Sequence, residues 1–285
     1  MPDHVAVSPA EVLAALELPP PVESAPMQGS EATVWRVRLL IGGQDRPYAL
    51  RLHRAGSTTA ARELVGLEVA AGLGVPVPEV VATGSWAGRP VALTSWCPGG
   101  TAVERLTRTE PSERLAVARR FGAVQARLHT ADVPATAMAA LRPVVRAVPD
   151  FDPHAPVRLL HLDYHPLNVL DDGARVTGVV DWANTALGDP RLDLARTLGI
   201  FALASLFDVV DQDGLASFVE HYRSGYTEVA EFPSDDELSP HVGWAAQAMR
   251  ADWEPRVRAG ERDPAVLDAL DTWASTWPRA SGRTR

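Results

Sequence analysis

His161-Leu162-Asp163-Tyr164-His165-Pro166-Leu167-Asn168-Val169-Leu170, completed further on by Val179-Val180-Asp181-Trp182, decides the reading of this chain. The two segments set a carboxylate at 163, an amide five residues later at 168, and a second carboxylate thirteen residues after that at 181. Val169-Leu170 follow the amide, and Val176, Val179 and Val180 precede the second carboxylate. Asp172-Gly173 between them is a two-residue hairpin signal. Residues 167–170 and 176–180 are therefore expected to pair as antiparallel strands, with Asn168 and Asp181 at the same open end. A tight turn at Asp172-Gly173 would put Thr177 opposite Asn168, so the chain must curl back after Val180. Oxygen ligands gathered at one end of a small sheet suit a hard cation. Mg²⁺ takes one or two protein carboxylates and shares the rest of its shell with water and substrate phosphates. Asn168 and Asp181 are its candidate ligands, which leaves Asp163 free to orient a hydroxyl and accept its proton. That division of labour is the one phosphoryl transfer uses.

The ordered set resembles the aminoglycoside phosphotransferase family of small-molecule kinases, which has the protein-kinase-like fold. The family's H-G-D-x-x-x-x-N loop corresponds to His161-Leu162-Asp163 with Asn168, its I-D-W motif to Val180-Asp181-Trp182, and its G-D-P-x-x-D-L-A segment to residues 188–195. Leu162 stands where the family has glycine. The resemblance implies Asp163 as the catalytic residue, Asn168 and Asp181 as Mg²⁺ ligands, and His161 and Asp193 as supports of the catalytic loop. It also implies ATP or GTP as donor and a small hydroxyl-bearing molecule as acceptor.

The 285 residues suffice for one large domain or two lobes with their own cores. A composition 46% apolar and 22% charged is globular. The formal net charge of −9 argues against nucleic acid and anionic membranes as partners, and is compatible with a cationic acceptor such as an aminoglycoside. The single cysteine, Cys97, excludes an internal disulfide. No basic region followed by an apolar core opens the sequence, and the longest apolar run, 198–207, is too short to span a bilayer, so a cytoplasmic protein is expected. There is no lysine: all 27 basic residues are arginine. Whatever a kinase asks of lysine falls here to arginine.

Residues 8–18 form a short amphipathic helix candidate, stopped by Pro19-Pro20-Pro21, which either packs on the first lobe or stays a loose arm. Gln28-Gly29-Ser30 then leads into strands at 34–40 and 48–53, joined by a turn at Gly42-Gly43. In the resemblance this is the nucleotide-covering start, with Gly29 and Ser30 near the phosphates. Strand alternation sets Tyr48, Leu50 and Leu52 on one face and Ala49, Arg51 and His53 on the other. Arg51 holds the place of the family's phosphate-contacting cation. A helix at 60–73 offers Glu63 as partner for Arg51, with Glu68 as the fallback. A strand at 91–96 is broken by Pro98-Gly99-Gly100. There the resemblance places the hinge, with Ser95 and Cys97 meeting the adenine through main chain.

Residues 112–130 read as a helix ending in Leu128-His129, where His129 is structural. Later helices at 196–207, 214–226, 240–252 and 263–277 carry Trp244, Trp253, Trp273 and Trp277 as packing residues. The acidic run Glu231, Asp235, Asp236 and Glu237 reads as solvated, and 280–285 as a disordered tail.

The reading is an α+β, two-lobed protein-kinase-like fold. A nucleotide-binding lobe over 1–97 has a small antiparallel sheet and one helix, besides the possible arm at 1–25. A mainly helical catalytic and acceptor-binding lobe covers 98–285. The activity expected is that of an ATP- or GTP-dependent small-molecule kinase acting on an aminoglycoside or other antibiotic. A metabolite kinase for a homoserine-, choline- or sugar-like acceptor is the alternative. Two rivals use the same residues differently: a catalytically weak nucleotide-binding protein, and a metal-dependent hydrolase ligated by His161, Asp163 and His165.

Overall fold

The computed structural model describes residues 7–27, 32–141, 143–144, 154–204 and 212–278. Gly29 and Ser30, and the tail at 280–285, lie outside the described residues. The chain begins with helix α1 (Pro9–Ala14), whose N-cap Ser8 accepts a hydrogen bond from the Ala10 N–H. Strands β1 (Glu23–Met27), β2 (Ala32–Ile41), β3 (Gln44–His53), β4 (Val80–Trp86) and β5 (Arg89–Ser95) form one antiparallel sheet in the order β1-β2-β3-β5-β4. Gly42 and Gly43 both have positive φ and close the β2–β3 hairpin with a two-residue turn.

Alternation divides this sheet as the sequence reading expected. Trp35, Val37 and Leu39 of β2, Leu50 and Leu52 of β3, and Val91 and Leu93 of β5 bury one face together with Val12 and Leu13 of α1. The candidate arm is therefore part of the first core. Helix α2 (Thr59–Gly72) serves the opposite face, where Arg51 and His53 point.

Beyond β5 come β6 (Gly100–Thr101), α3 (Ala102–Arg108), α4 (Pro111–Thr130), α5 (Ala135–Ala140) and β7 (Arg158–Leu160). The catalytic segment follows: β8 (Val169–Asp171), β9 (Val176–Val179), a 3₁₀ turn at Trp182–Asn184, and β10 (Ala186–Gly188). Helices α6 (Pro190–Leu203), α7 (Gln212–Thr227), α8 (Asp235–Arg258) and α9 (Ala265–Thr276) complete the order. The main core is aromatic. Phe121 of α4 packs against Tyr164, Phe201, Phe218 and Tyr222 with ring centroids 4.4 to 6.0 Å apart. Trp273 and Trp277 pack edge to face at 5.9 Å, and Trp244 leans on Leu160, Leu162 and Leu192. Three of the acidic residues from 231 to 237 open α8, where Glu237 and Ser234 form a capping box and Asp235 and Asp236 meet the positive helix end.

The hairpin carrying the site pairs the expected strands, with a longer turn than Asp172-Gly173. Val169 faces Val179 and Leu170 faces Gly178, but Asp171 faces Val176, a bulge. The Asp172 carboxylate accepts from the N–H groups of Ala174 and Arg175, and the Asp172 N–H donates to the Arg175 carbonyl. The turn is thus longer than Asp172-Gly173 alone. Asp171 explains the shift: it is fully buried and gripped bidentately by Arg120 of α4 at 2.7 and 2.8 Å. In consequence Val180, not Thr177, lies opposite Asn168, its N–H donating to the Asn168 carbonyl at 2.9 Å.

Candidate active site

Asp193 organises the loop that carries Asp163. Its Oδ1 accepts the Leu162 N–H at 2.7 Å, and its Oδ2 accepts the His161 N–H at 3.1 Å and His129 Nε2–H at 3.0 Å. Burial alone would raise this carboxyl, but the His129 hydrogen bond and charge, the charge of His161 and the loop N–H more than offset it, and Asp193 stays below its ordinary range. His129 is itself held by the Tyr226 hydroxyl at 3.1 Å. Thr197, one turn beyond Asp193 on α6, donates to the Tyr164 carbonyl at 3.0 Å and accepts from Gln125.

Gripping two successive N–H groups forces Leu162 to φ +59°, the left-handed region. Glycine would occupy this region without a side-chain penalty. Leu162 keeps the conformation because its side chain is buried among Leu160, Leu192 and Trp244. Asp181 is left-handed as well, at φ +64°.

Asn168 meets Asp163 directly, and Asp181 follows Val180, whose N–H donates to the Asn168 carbonyl. Asn168 Nδ2 donates to the Asp163 carbonyl at 3.0 Å and lies 3.3 Å from Asp163 Oδ2. His165 Nε2 lies 3.6 Å from that same oxygen. Burial pushes the Asp163 carboxyl up, but His165 first, then His161 and Arg196, bring it down to about 2. It is a carboxylate at neutral pH. His161 is fully buried, and burial is what lowers its pKa. Its Nε2–H donates to the Val180 carbonyl at 2.9 Å, and its Nδ1 accepts the Asp163 N–H at 3.2 Å. One buried imidazole thus ties the Asp163 loop to the strand that delivers Asp181.

That geometry overturns the hydrolase alternative. Both His161 nitrogens are engaged by backbone, and among the described residues no group of three His, Cys, Asp or Glu side chains can hold a metal ion. The Asn168 and Asp181 donor set fits a hard cation better. With Nδ2 committed to the Asp163 carbonyl, Asn168 Oδ1 is the atom left to ligate, and Asp181 is partly exposed.

On the sheet side, Arg51 Nη1 pairs with Glu63 Oε1 at 2.7 Å, while Arg51 Nη2 lies 3.8 Å from Asp181 Oδ1. Glu68 is exposed and lines a surface groove with Leu64, Leu67, Val77 and Val80, so it is not the partner. Glu63 Oε2, His53 Nδ1 and Arg51 Nε are buried without a hydrogen-bond partner among the described residues. Burial raises the Glu63 carboxyl to about 7, with Arg51 pulling it back and Asp181 pushing it further. Burial and Arg51 lower His53 to about 4, so its 3.8 Å approach to Glu63 is not an ion pair at neutral pH. Helix α2 is pressed onto the turn after Asp181. A Cβ on Gly66 would sit 2.8 Å from Thr185 Cγ2, and Arg62 donates to the Ala183 carbonyl at 3.2 Å.

Ser95 and Cys97 leave β5 toward the second lobe. The Ser95 N–H donates to the Glu79 carbonyl at 2.8 Å, and Ser95 Oγ accepts the Glu79 N–H at 2.9 Å. Cys97 is buried, which pushes its thiol up to about 11 and leaves it unreactive. Sequence reasoning missed Thr197, Gln125 and Arg196. For Arg196 and Thr197 the available signal was helical spacing from Asp193, three and four residues on; Gln125 lies on α4 and carried none.

Comparison with known proteins agrees with this geometry. The model of the phosphotransferase enzyme family matches residues 27–147 and 135–238. Macrolide 2'-phosphotransferase MphH from Brachybacterium faecium superposes with a TM-score of 0.60 at 18% identity, covering 95% of this chain and 98% of that one. Aminoglycoside phosphotransferase APH(4)-Ia, solved with AMP-PNP and hygromycin B, gives 0.63 at 16% identity, covering 93% and 97%. These likenesses show the two-lobed protein-kinase-like fold. Among curated sequences, mouse acyl-CoA dehydrogenase family member 10 is 27% identical over 233 residues, 63% of this chain and 21% of that protein. The uncharacterized protein YcbJ of Bacillus subtilis is 28% identical over 102 residues, 32% of this chain and 33% of that one. The chain spans about a fifth of the first of these relatives and matches about a third of the second. With its matched segments running through both the Arg51 sheet and the Asp163–Asp193 segment, the chain belongs to the phosphotransferase enzyme family.

Proposed function

We propose that this protein transfers the γ-phosphoryl group of ATP or GTP to a hydroxyl of a small molecule. The observation that carries the reading is the joint placement of an ionised Asp163 and an Asn168 amide tied to the Asp163 carbonyl. Asp181 follows Val180, whose carbonyl accepts from His161 and whose N–H donates to the Asn168 carbonyl. Asn168 and Asp181 would hold Mg²⁺, which when bound neutralises phosphate charge. Arg51, kept in place by Glu63, would face the donor phosphates; Gly29 and Ser30 would cover them, and main chain at Ser95 and Cys97 would meet the base.

In this reading the Asp163 carboxylate orients the acceptor hydroxyl. As the new O–P bond forms and the bond from the γ-phosphorus to the bridging oxygen breaks, the hydroxyl proton passes to Asp163 and the nucleoside diphosphate leaves. A carboxylate with a pKa of about 2 is a weak base. It suits a loose transition state, in which the hydroxyl becomes acidic only late and positioning contributes most of the rate. A nucleotide-binding protein without turnover would not need Asp163, Asn168 and Asp181 together.

No helix among the described residues is long and apolar enough to cross a membrane. The test is transfer of radiolabelled γ-phosphate from ATP and GTP to a panel of antibiotics, sugars, amino alcohols and hydroxy acids. A labelled product that disappears with Asp163→Ala supports the reading. Product formation unchanged by that substitution would refute it.

A further inference from the structure

Two arginines sit on elements that pack against the segments carrying Asp163 and Asp181. Arg51 comes from the sheet and stands beside Glu63 and Asp181. Arg196 comes from α6 and is 8% exposed. On that helix Asp193 holds the His161 and Leu162 N–H groups, and Thr197 holds the Tyr164 carbonyl. Arg196 lies between those two grips, alongside the catalytic loop. Its charge is among those that hold the Asp163 carboxyl down.

The guanidinium is incompletely compensated. Arg196 Nη2 donates to Asp252 Oδ2 of α8 at 2.9 Å, but the Asp252 side chain is 55% exposed. A pair with so exposed a carboxylate is readily given up. Arg196 Nε–H is buried and has no hydrogen-bond partner among the described residues. Nε and Nη2 form one edge of the planar fork, the edge that takes both oxygens of a carboxylate at once. A buried cation with half of that edge unpaired keeps a donor that a second anionic oxygen would satisfy.

We propose that Arg196 anchors the acceptor. The acceptor carries a carboxylate that docks on the Nε–Nη2 edge in place of Asp252 and sets its hydroxyl beside Asp163. This rests on the kinase reading and adds the substrate class, a hydroxy acid. It turns away from the polycation that a net charge of −9 suggests. Asp189, the N-cap of α6, is already engaged by Arg191 at 2.6 Å and His241 at 3.3 Å.

The experiment compares phosphoryl transfer to 3-hydroxypropionate, 4-hydroxybutyrate, serine and homoserine with transfer to their primary amides and to amine-rich acceptors, using the full chain and Mg-ATP. The acids are expected to exceed the matching amides in kcat/KM by about 100-fold, because an amide leaves the buried fork unpaired. Arg196→Met should raise KM for the acid by about as much while KM for ATP stays put. Arg196→Lys should recover only part of the loss, and Asp252→Asn should lower KM for the acid by about 3- to 10-fold. Should Arg196→Met fail to fold, the acid–amide ratio and Asp252→Asn still decide. Equal use of acids and amides, or preference for amines, with transfer still dependent on Asp163, overturns the proposal and leaves the kinase reading standing. Absence of Mg-ATP binding by calorimetry overturns both.

Discussion

Asp193 and Glu63 are both buried carboxylates that serve the site, and they are built in opposite ways. Asp193 accepts three hydrogen bonds and is held below its ordinary pKa. Glu63 has one strong partner, Arg51, and an orphaned second oxygen, and its carboxyl rises to about 7. The difference teaches which side of the site is finished. The Asp193 anchor of the catalytic loop is complete without a ligand, because its contacts to His161, Leu162 and His129 are all made within the protein. The Arg51 side is unfinished, and a phosphate near Arg51 would supply charge complementarity the protein alone leaves open.

The largest effect expected from breaking this contrast is at Asp193. Asp193→Ala leaves two loop N–H groups and His129 unpaired in a dry interior. It should cost about 3–5 kcal/mol in chemical denaturation, with loss of the folded loop. A cost below about 1 kcal/mol would mean the loop is held by something else.

Glu63 should show itself through pH. Its folded-state pKa is raised from 4.5 to about 7, so the folded chain holds a proton that the unfolded chain releases earlier. That contribution is fully present below about 4.5 and is lost as pH rises through about 7. Between pH 5 and 8 the wild type should therefore lose about 2–3 kcal/mol more stability than Glu63→Gln, which has no proton to release. Parallel stability–pH curves for the two would place Glu63 in a satisfied environment like that of Asp193.

The smallest effect is a change of order. In most positions glycine is less stable than alanine by about 0.5–1 kcal/mol. At 162 both substitutions lose the packing against Leu160, Leu192 and Trp244, but only glycine escapes the left-handed backbone cost. Leu162→Gly should therefore be more stable than Leu162→Ala by about 1 kcal/mol in urea denaturation. The ordinary order would show that the Asp193 grip does not strain this residue.

The same contrast explains what could be read from the sequence. Asp163, Asn168 and Asp181 lie within one short segment, and hairpin logic brings Asn168 and Asp181 to one end whatever the exact turn. Arg51 and Glu63 were legible because strand alternation and a helical face each fix a direction. The turn itself was misread because Arg120, 51 residues away, buries Asp171 and imposes a bulge that local turn chemistry does not contain. Strand β1 was missed because Glu23–Met27 is exposed throughout, includes Pro26 and has no apolar alternation; it forms by pairing with the edge of β2. Arg196 meets Asp252 across 56 residues, and no period in either helix announces that contact.

The most direct test of the central claim is to measure turnover and Mg-nucleotide affinity side by side in Asp163→Asn and Asp181→Asn. The account predicts that Asp163→Asn keeps Mg-ATP affinity within a few-fold while phosphoryl transfer falls by about 10²–10⁴. It predicts that Asp181→Asn loses both. Full turnover in Asp163→Asn, or unchanged Mg-ATP affinity in Asp181→Asn, would contradict the assignment of a phosphoryl-transfer site to this loop.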